Sequence, residues 1–301
     1  MIGKTLGIDK PVVLAPMGFV TGGALAAAVS RAGGLGLIGA GYGDADWIRR
    51  EFDLAGGARV GVGFITWSLA KQPQLLDLGL SFKPCAVMLS FGDPLPFAQK
   101  VRDAGAKLIC QVQDLRTARQ ALRAKPDVLV AQGTEAGGHA GTRSLFALLP
   151  AIKDISGGIP VLAAGGISDR RGAQAAMALG ADGVLLGTRF LAAEESLVAH
   201  EAKQRVVEAN GDTTLRTTVF DIIRGYDWPD GITARALRNA FSVKWHGNEA
   251  GLKQDLPRQK KIYAAAIERR DFDTALVFAG EGIDLIDAVL PAAQIVQQVA
   301  P

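Results

Sequence analysis

The chain has 301 residues, of which 49% are hydrophobic and 37 are glycine, so it can bury a large core and make many tight turns. Its net charge of +3 includes no basic run, which argues against nucleic acid as a partner. We find no uncharged apolar run of membrane-spanning length and no secretion-signal pattern at the N-terminus. We therefore expect a cytoplasmic protein without a membrane partner.

Short apolar segments alternate with longer amphipathic segments up to about residue 195. Eight apolar segments have the composition of parallel strands buried on both faces, and a predicted helix, such as residues 68–78, follows each of them. Eight such units predict a (β/α)8 TIM barrel, with an open doubly wound sheet as the alternative. The predicted strands are 11–15, 35–38, 59–65, 86–90, 107–112, 128–131, 160–164 and 183–186.

The pattern changes beyond residue 195. We expect a barrel over residues 1–195, a small C-terminal helical lid domain over 196–280, and an apolar helix within 281–301 that packs back on the barrel. The elements predicted after residue 195 are helices at 197–210, 233–241, 257–269 and 283–299, an extended segment at 213–219 and a turn-rich connector at 225–231.

Glycine turns follow the last two predicted strands. Gly165 and Gly166 end the seventh strand, while Leu186, Gly187 and Thr188 end the eighth, and each turn opens directly into a helix. Glycine lets backbone N–H groups approach a phosphate closely, and helix N-termini add positive potential. Both turns lie where barrels of this type bind phosphate, so they predict a phosphate site, although glycines can also serve tight turns alone.

The loop after the sixth strand, residues 132–141, has the sequence QGTEAGGHAG. Its glycines, Gly137 and Gly138 among them, would let the loop lie flat against a planar ligand. A histidine on such a loop suits proton transfer near neutral pH, so His139 is the candidate catalytic residue, with an exposed loop histidine as the alternative. Gln132 either meets the edge of a bound ring or ties down the loop. Glu135 either orients His139 or, as we prefer, caps the local turn.

Other strand ends complete the rim of the predicted site. The first strand ends in Pro16, Met17 and Gly18, and Met17 would place a flat, polarisable side chain at the barrel mouth. Gly63 in the third strand permits a close approach, and Phe91 after the fourth strand either walls a substrate pocket or packs in the core. No group of His, Cys, Asp and Glu has metal-ligand spacing, so we predict no metal.

Together these segments resemble the nitronate monooxygenase family, formerly called the 2-nitropropane dioxygenases. The resemblance covers residues 11–195 and continues into 234–241. Its most specific part is the QGxEAGGH pattern at 132–139, which related FMN-dependent enoyl-acyl-carrier-protein reductases and some quinone reductases share. Many bacterial members carry asparagine where this chain has Gly63, and this departure leaves the substrate open.

The resemblance implies an FMN-binding barrel with His139 as the catalytic residue. It places the turn of Pro16 to Gly18 beside the flavin ring. The predicted cofactor-binding residues are Pro16, Met17, Gly18, Gly63, Gln132, Gly137, Gly138, Gly165, Gly166, Leu186, Gly187 and Thr188.

The implied activity is oxidative denitrification, in which an FMN-dependent oxidoreductase uses O2 to convert alkyl nitronates or nitroalkanes into carbonyl compounds and nitrite. His139 would accept the α-proton of a neutral nitroalkane, or stabilise the nitronate when protonated. The alternative on the same barrel is NAD(P)H-dependent reduction of a quinone or an enoyl thioester. A flavin-binding module without catalysis and a phosphate-binding barrel without flavin stay open. A homodimer is our working assumption for the assembly.

Overall fold

The computed structural model describes residues 2–301 and is built around one parallel sheet. Eight strands form this sheet, and the other three, β7, β10 and β11, form a second sheet. In chain order the strands are β1 (Val12–Leu14), β2 (Leu37–Gly39), β3 (Gly61–Ile65), β4 (Ala86–Ser90), β5 (Lys107–Val112), β6 (Val128–Gln132), β7 (Gly138–Ala140), β8 (Val161–Ala164), β9 (Gly183–Leu186), β10 (Thr214–Thr217) and β11 (Thr233–Leu237).

The parallel sheet closes on itself. Its strands pair in the order β1, β9, β8, β6, β5, β4, β3, β2. Val13 forms a parallel bridge with Leu35, just before β2, and the Leu14 N–H donates to the Leu35 carbonyl at 2.9 Å. Because this bridge joins the two ends of the order, the predicted (β/α)8 barrel is confirmed and the open sheet is excluded.

Helices cover the barrel, and their side chains pack against the outer faces of the strands in one continuous core. In chain order they are α1 (Ile2–Leu6), α2 (Gly23–Arg31), α3 (Ala45–Leu54), α4 (Thr66–Leu69), α5 (Gln74–Ser81), α6 (Leu95–Asp103), α7 (Leu115–Arg123), α8 (Leu145–Ile155), α9 (Arg170–Ala178), α10 (Thr188–Leu191), α11 (His200–Glu208), α12 (Val219–Arg224), α13 (Ala240–Trp245), α14 (Glu249–Gln254), α15 (Leu256–Glu268) and α16 (Ala292–Val299). None of these helices is long and apolar enough to cross a membrane.

A separate core fills the inside of the barrel. Ile2 and Leu6 of α1 pack there with inward-facing strand residues such as Val13, Met88 and Val130. This short helix lies at the N-terminal ends of the strands and leaves the opposite end, where the strands terminate, free for a site.

The predicted helix at 68–78 is wrong as a single element. It is two helices, α4 and α5, separated just before Gln74 by Pro73. Proline lacks an N–H donor and disfavours helical backbone in the residue before it, so the chain turns there.

The predicted helix at 233–241 is also wrong. Its first half is strand β11, which pairs antiparallel with β10 on one side and with β7 on the other. The helix α13 starts only at Ala240, where the side chain of Asn239 accepts the Ser242 N–H at 2.9 Å. Two ladders of backbone hydrogen bonds outweigh the helical propensity of the alanine and arginine residues here.

The predicted helix at 283–299 is divided as well. Glu281–Leu285 forms a 3₁₀ helix, and α16 begins only after Pro291. The α16 helix packs on α2 and α9 of the barrel. Helices α12 to α15 surround a small core of their own that contains Phe220, Phe241 and Trp245. The residues after 195 therefore contain both helices and strands; the division of the chain at residues 195 and 280 stays a prediction.

Candidate functional site

A cavity opens at the C-terminal ends of the barrel strands. All the site residues predicted from the sequence line it except Leu186. The residues after 195 close the cavity with Arg224, Trp228, Phe278, Gly280 and Gly282. The structure therefore brings the glycine turns, the His139 loop and the end of the first strand together around one space. No group of three or more potential metal ligands occurs among residues 2–301.

Leu186 is placed away from the cavity. Its side chain lies in the core between strands and helices, whereas the neighbouring Leu185 faces the inside of the barrel and lines the cavity. Successive residues of a strand point to opposite faces, so the Leu186 side chain does not face the cavity, and its contact with the cofactor stays a prediction. The Leu186 carbonyl accepts the Ala15 N–H at 2.9 Å and so joins the ends of two neighbouring strands.

Gly63 is explained by its contact with Pro16. A Cβ atom at position 63 would lie 2.2 Å from Cγ of Pro16, closer than real Cβ atoms approach any neighbour. The proline ring thus occupies the space that an asparagine side chain would need. Gly63 and Pro16 form a matched pair, and both line the cavity.

The turn after β8 presents backbone donors. Gly165 and Gly166 have φ angles of +110° and +70°, a left-handed conformation that favours glycine. Their N–H groups donate to no backbone carbonyl within residues 2–301. Successive free N–H groups in such a turn form a concave anion site.

The turn after β9 is held by the tail of the chain. The Gly280 N–H donates to Oγ1 of Thr188 at 3.0 Å, which brings the segment before α16 against this turn. Arg189 plays no part in the cavity: it is buried, and its guanidinium donates to the Ala288 carbonyl at 3.2 Å. Its role is therefore structural.

His139 lies on β7 and is buried, with 8% of its surface exposed. Its Nε2 atom is 2.9 and 3.0 Å from the two carboxylate oxygens of Asp221, which is itself buried on α12. The indole of Trp228 stacks on the imidazole at 3.5 Å between ring centroids, with the planes 8° apart. The ring of Phe278 meets it edge-on at 5.7 Å.

Burial lowers the pKa of His139 below its usual value, since the charged imidazolium loses its hydration there. The hydrogen bond to Asp221 and the negative charge of that carboxylate oppose this change, while Arg224 and Arg216 lower the pKa further. The net direction is downward, so His139 is neutral at neutral pH and able to accept a proton.

Gln132 ties down the His139 loop. Its Nε2 atom donates to the His139 carbonyl at 3.0 Å, and its Oε1 atom accepts from Gln111 at 3.0 Å and Gln113 at 3.1 Å. Glu135 caps α8, since its carboxylate accepts the Leu145 N–H at 2.9 Å. Glu135 thus serves as a cap, but for α8 and not for its local turn as expected, and Gln132 both lines the cavity and fixes the loop.

Arg216 of β10 provides the main anchor of the same loop. Its guanidinium donates to the carbonyls of Thr134 at 2.8 Å, Ala136 at 3.2 Å and Ala140 at 3.4 Å, and also to the carbonyl of Thr233. A planar fork with five donors can span several carbonyls in this way, which a lysine cannot do.

Arg235 lies beside Arg216 and completes this anchor. It donates to the Thr134 carbonyl at 3.2 Å and forms an ion pair with Glu281 at 2.7 Å. Burial and the neighbouring Arg235 charge lower the pKa of Arg216 to about 10. Arg216 therefore stays cationic at neutral pH.

An aromatic cluster walls the mouth of the cavity. Trp228 donates from Nε1 to the Tyr42 hydroxyl at 3.1 Å and meets the ring of Phe91 edge-on at 5.0 Å. Tyr42 stacks on Tyr226 at 3.6 Å. Phe91 thus walls the pocket, as one of its two interpretations held.

Arg224 is the one charged side chain that lines the cavity in the described part of the chain. Its guanidinium lies 4.7 Å from the ring of Tyr226 and 5.8 Å from those of Tyr42 and Phe278. Its Nη1 atom is buried without a hydrogen-bond partner. Burial raises the pKa of Tyr42 to about 12, so that phenol stays neutral and does not neutralise the cation.

Sequence reasoning missed Asp221, Arg224 and Trp228. All three lie in the tail, far in sequence from the ends of the barrel strands. One signal was present: the connector at 225–231 carries two aromatic residues between its glycines, an unusual composition for a solvent-exposed turn.

Fold and site together define an enzyme of the (β/α)8 barrel class with its site at the C-terminal ends of the strands. The sequence profile of the nitronate monooxygenase family matches residues 1–56 and 65–301. The unmatched stretch, 57–64, contains Gly63. The chain belongs to the nitronate monooxygenase family and is an oxidoreductase.

Individual proteins are similar to this chain in sequence or in structure. The chain is 34% identical to "Nitronate monooxygenase npaC" of Metarhizium robertsii, over 95% of this chain and 89% of that protein. Its structure is similar to that of FabK from Thermotoga maritima, with a TM-score of 0.85, 32% identity and coverage of 99% and 94%. It is also similar to the nitroalkane oxidase of Streptomyces ansochromogenes, with a TM-score of 0.82, 28% identity and coverage of 99% and 96%.

We expect Arg216→Lys to lower the free energy of unfolding by about 3 kcal/mol, because buried carbonyls lose donors that a single ammonium cannot replace. Urea denaturation measures the loss. Arg205→Lys is the matched control, since Arg205 is exposed and pairs with the exposed Asp273, and it should change the value by less than about 0.5 kcal/mol. Equal effects of the two substitutions would contradict the anchoring role of Arg216.

Proposed function

We propose that the protein binds FMN and oxidises alkyl nitronates, and the nitroalkanes from which they form, with O2 to give carbonyl compounds and nitrite. One observation carries the proposal. The cavity is lined by a neutral buried base, His139, and by one cation, Arg224, and no carboxylate of the described chain lines it. Such a surface suits a substrate that becomes an anion by losing a proton.

The residues fit FMN. The turn of Gly165 and Gly166 offers free backbone N–H groups to a phosphate, and no cavity-lining carboxylate repels it. The glycines at 137 and 138 leave the His139 loop without side chains between its backbone and a flat ring. Met17 and the turn from Pro16 to Gly18 supply a further wall. When bound there, FMN accepts electrons from the substrate.

The protein's own part is to bind, to orient and to move a proton. Neutral His139 accepts the α-proton of a nitroalkane, and the resulting nitronate is an anion. Arg224 then offers its guanidinium to the nitronate oxygens. The aromatic wall around Trp228 excludes water and strengthens this attraction.

With ethyl nitronate, the purified FMN-loaded enzyme should consume oxygen and release nitrite. His139→Asn should keep its flavin but lose about 100-fold or more of its turnover of neutral nitroethane, because the general base is gone. An oxygen electrode and a nitrite assay measure both quantities. His200→Asn is the control, since His200 is exposed and lies outside the cavity. A flavin-loaded enzyme that releases no nitrite would refute the proposal.

The two substrates should differ in pH dependence. With neutral nitroethane, kcat/KM should fall as the pH drops through the pKa of His139, because the protonated imidazole cannot accept a proton. That pKa is held below 6.5, so the fall lies on the acid side of 6.5. With preformed nitronate this loss should be absent. Identical acid limbs for the two substrates would argue against His139 as the base.

Arg224→Met should raise KM for ethyl nitronate about 10-fold, which corresponds to about 1.4 kcal/mol of lost anion binding. The KM for neutral nitroethane should change much less, and steady-state kinetics with the two substrates compares them. Arg205→Met, at an exposed ion pair, is the control. An unchanged KM for the nitronate would show that Arg224 does not bind the anion.

The alternative is NAD(P)H-dependent reduction of a quinone or an enoyl thioester. The aromatic wall favours the quinone substrate, because Tyr42, Phe91 and Trp228 offer flat surfaces to a planar ring. Anaerobic mixing separates the two functions: the bound flavin should be bleached by the nitronate and not by NADH or NADPH. The reverse result would support the reductase.

A further inference from the structure

The contact between His139 and Asp221 joins two parts of the chain that are 82 residues apart. His139 lies on β7, which follows a barrel strand, and Asp221 lies on α12 in the tail. Both carboxylate oxygens are within 3.0 Å of the same ring nitrogen, Nε2, and both side chains are buried. We infer that Asp221 is a positioning residue that keeps the proton of neutral His139 on Nε2 and so leaves Nδ1 as the base.

The chemistry of the two groups supports this assignment. A neutral imidazole carries one N–H, and an ionised carboxylate can only accept a hydrogen bond. Because Asp221 contacts Nε2, the tautomer with its proton on Nε2 makes a charge-assisted hydrogen bond, whereas the other tautomer would set a lone pair against the carboxylate. Nδ1 makes no hydrogen bond to any residue between 2 and 301.

The surroundings of the imidazole hold its ring in one orientation, because a flip would replace Nε2 by Cε1 beside Asp221. Trp228 covers one face of the imidazole at 3.5 Å, and Phe278 lies at its edge. The backbone of His139 is paired with Ala234 of β11. A flip of the ring would have to break the stacking and the contact with Asp221 together. The base therefore reaches a substrate through the edge of the ring that carries Nδ1.

Other charged groups near the pair do not replace Asp221. Arg224 lies one turn away on α12, and Arg216 approaches from β10; both are cations that lower the pKa of His139. The phenols of Tyr42 and Tyr263 also lie near Asp221, and burial raises the pKa of each, so they stay neutral. Asp221 is thus the one group in this set that favours a proton on the ring.

This inference rests on the proposed role of His139 as the base, and its test includes a measurement that needs no turnover. The chain has three histidines, so ¹⁵N-labelled histidine should give a resolvable NMR signal for His139 in the FMN-loaded enzyme. At pH 8 we expect the chemical shifts of the tautomer protonated at Nε2. In Asp221→Asn the shifts should move toward a mixture of tautomers, because the amide can donate as well as accept.

The kinetic arm uses the same variants. Asp221→Asn should lower kcat/KM for neutral nitroethane about 100-fold while changing that for preformed nitronate by only a few fold. Its acid limb should move to lower pH, because the carboxylate that raises the pKa of His139 is gone. Asp221→Glu should restore part of the activity and the wild-type tautomer. Asp227→Asn, at an exposed aspartate of the connector, is the matched control.

Two results would overturn the inference. One is a wild-type tautomer and an unmoved acid limb in Asp221→Asn. The other is an equal loss with both substrates, which a merely structural role of Asp221 would produce. If the wild-type enzyme fails to oxidise nitronates, the proposed function is wrong, whereas the NMR spectra still decide whether Asp221 fixes the tautomer. The two failures are therefore distinguishable.

Discussion

The site depends on the hydrogen bonds of one partly buried guanidinium, that of Arg216. The loop that carries His139 is rich in glycine, so its backbone has many conformations to lose on folding, and its carbonyls are left without a regular partner. Arg216 supplies donors to the carbonyls of Thr134, Ala136 and Ala140 at once. A flexible loop thereby becomes a fixed support for the side chain of His139.

Arg216 belongs to β10, which lies outside the barrel, so the anchor also joins the barrel to the residues that follow it. The same connection recurs in the sheet of β10, β11 and β7, where the strand that carries His139 pairs with the tail. Neither part has a complete site alone: the barrel supplies His139 and the glycine turns, and the tail supplies Asp221, Arg224 and the stacking Trp228.

Because the site is divided between the barrel and the tail, the sequence predicts one part of it and not the other. The barrel follows from local patterns that repeat eight times, and the glycine turns follow from where strands end, so both were predictable. Leu185 and not Leu186 turns its side chain to the cavity, a matter of strand phase that periodicity alone does not resolve within a continuous apolar run. The strand at Thr233–Leu237 was predicted as a helix because its partners, β7 and β10, are distant in sequence.

Asp221, the hydrogen-bond partner of His139, could not be predicted either, because it too is distant in sequence. An aspartate in an amphipathic segment carries no local mark of a contact 82 residues away. At Gly63 the sequence alone shows that the chain departs from the family, but it does not show why. The structure explains the glycine, because a Cβ atom there would lie 2.2 Å from the ring of Pro16.

The spacing of Asp221 and Arg224 on α12 links the two halves of the proposed chemistry. Residues three apart lie on the same side of a helix, so one turn of α12 presents a carboxylate to His139 and a guanidinium to the cavity. The two side chains do not form an ion pair with each other. The Asp221 carboxylate contacts the imidazole of His139, and the Arg224 guanidinium lies among aromatic rings. Any movement of α12 relative to the barrel would shift the base and the anion site together. In the proposed reaction, proton removal and capture of the resulting anion therefore both depend on the position of a single short helix.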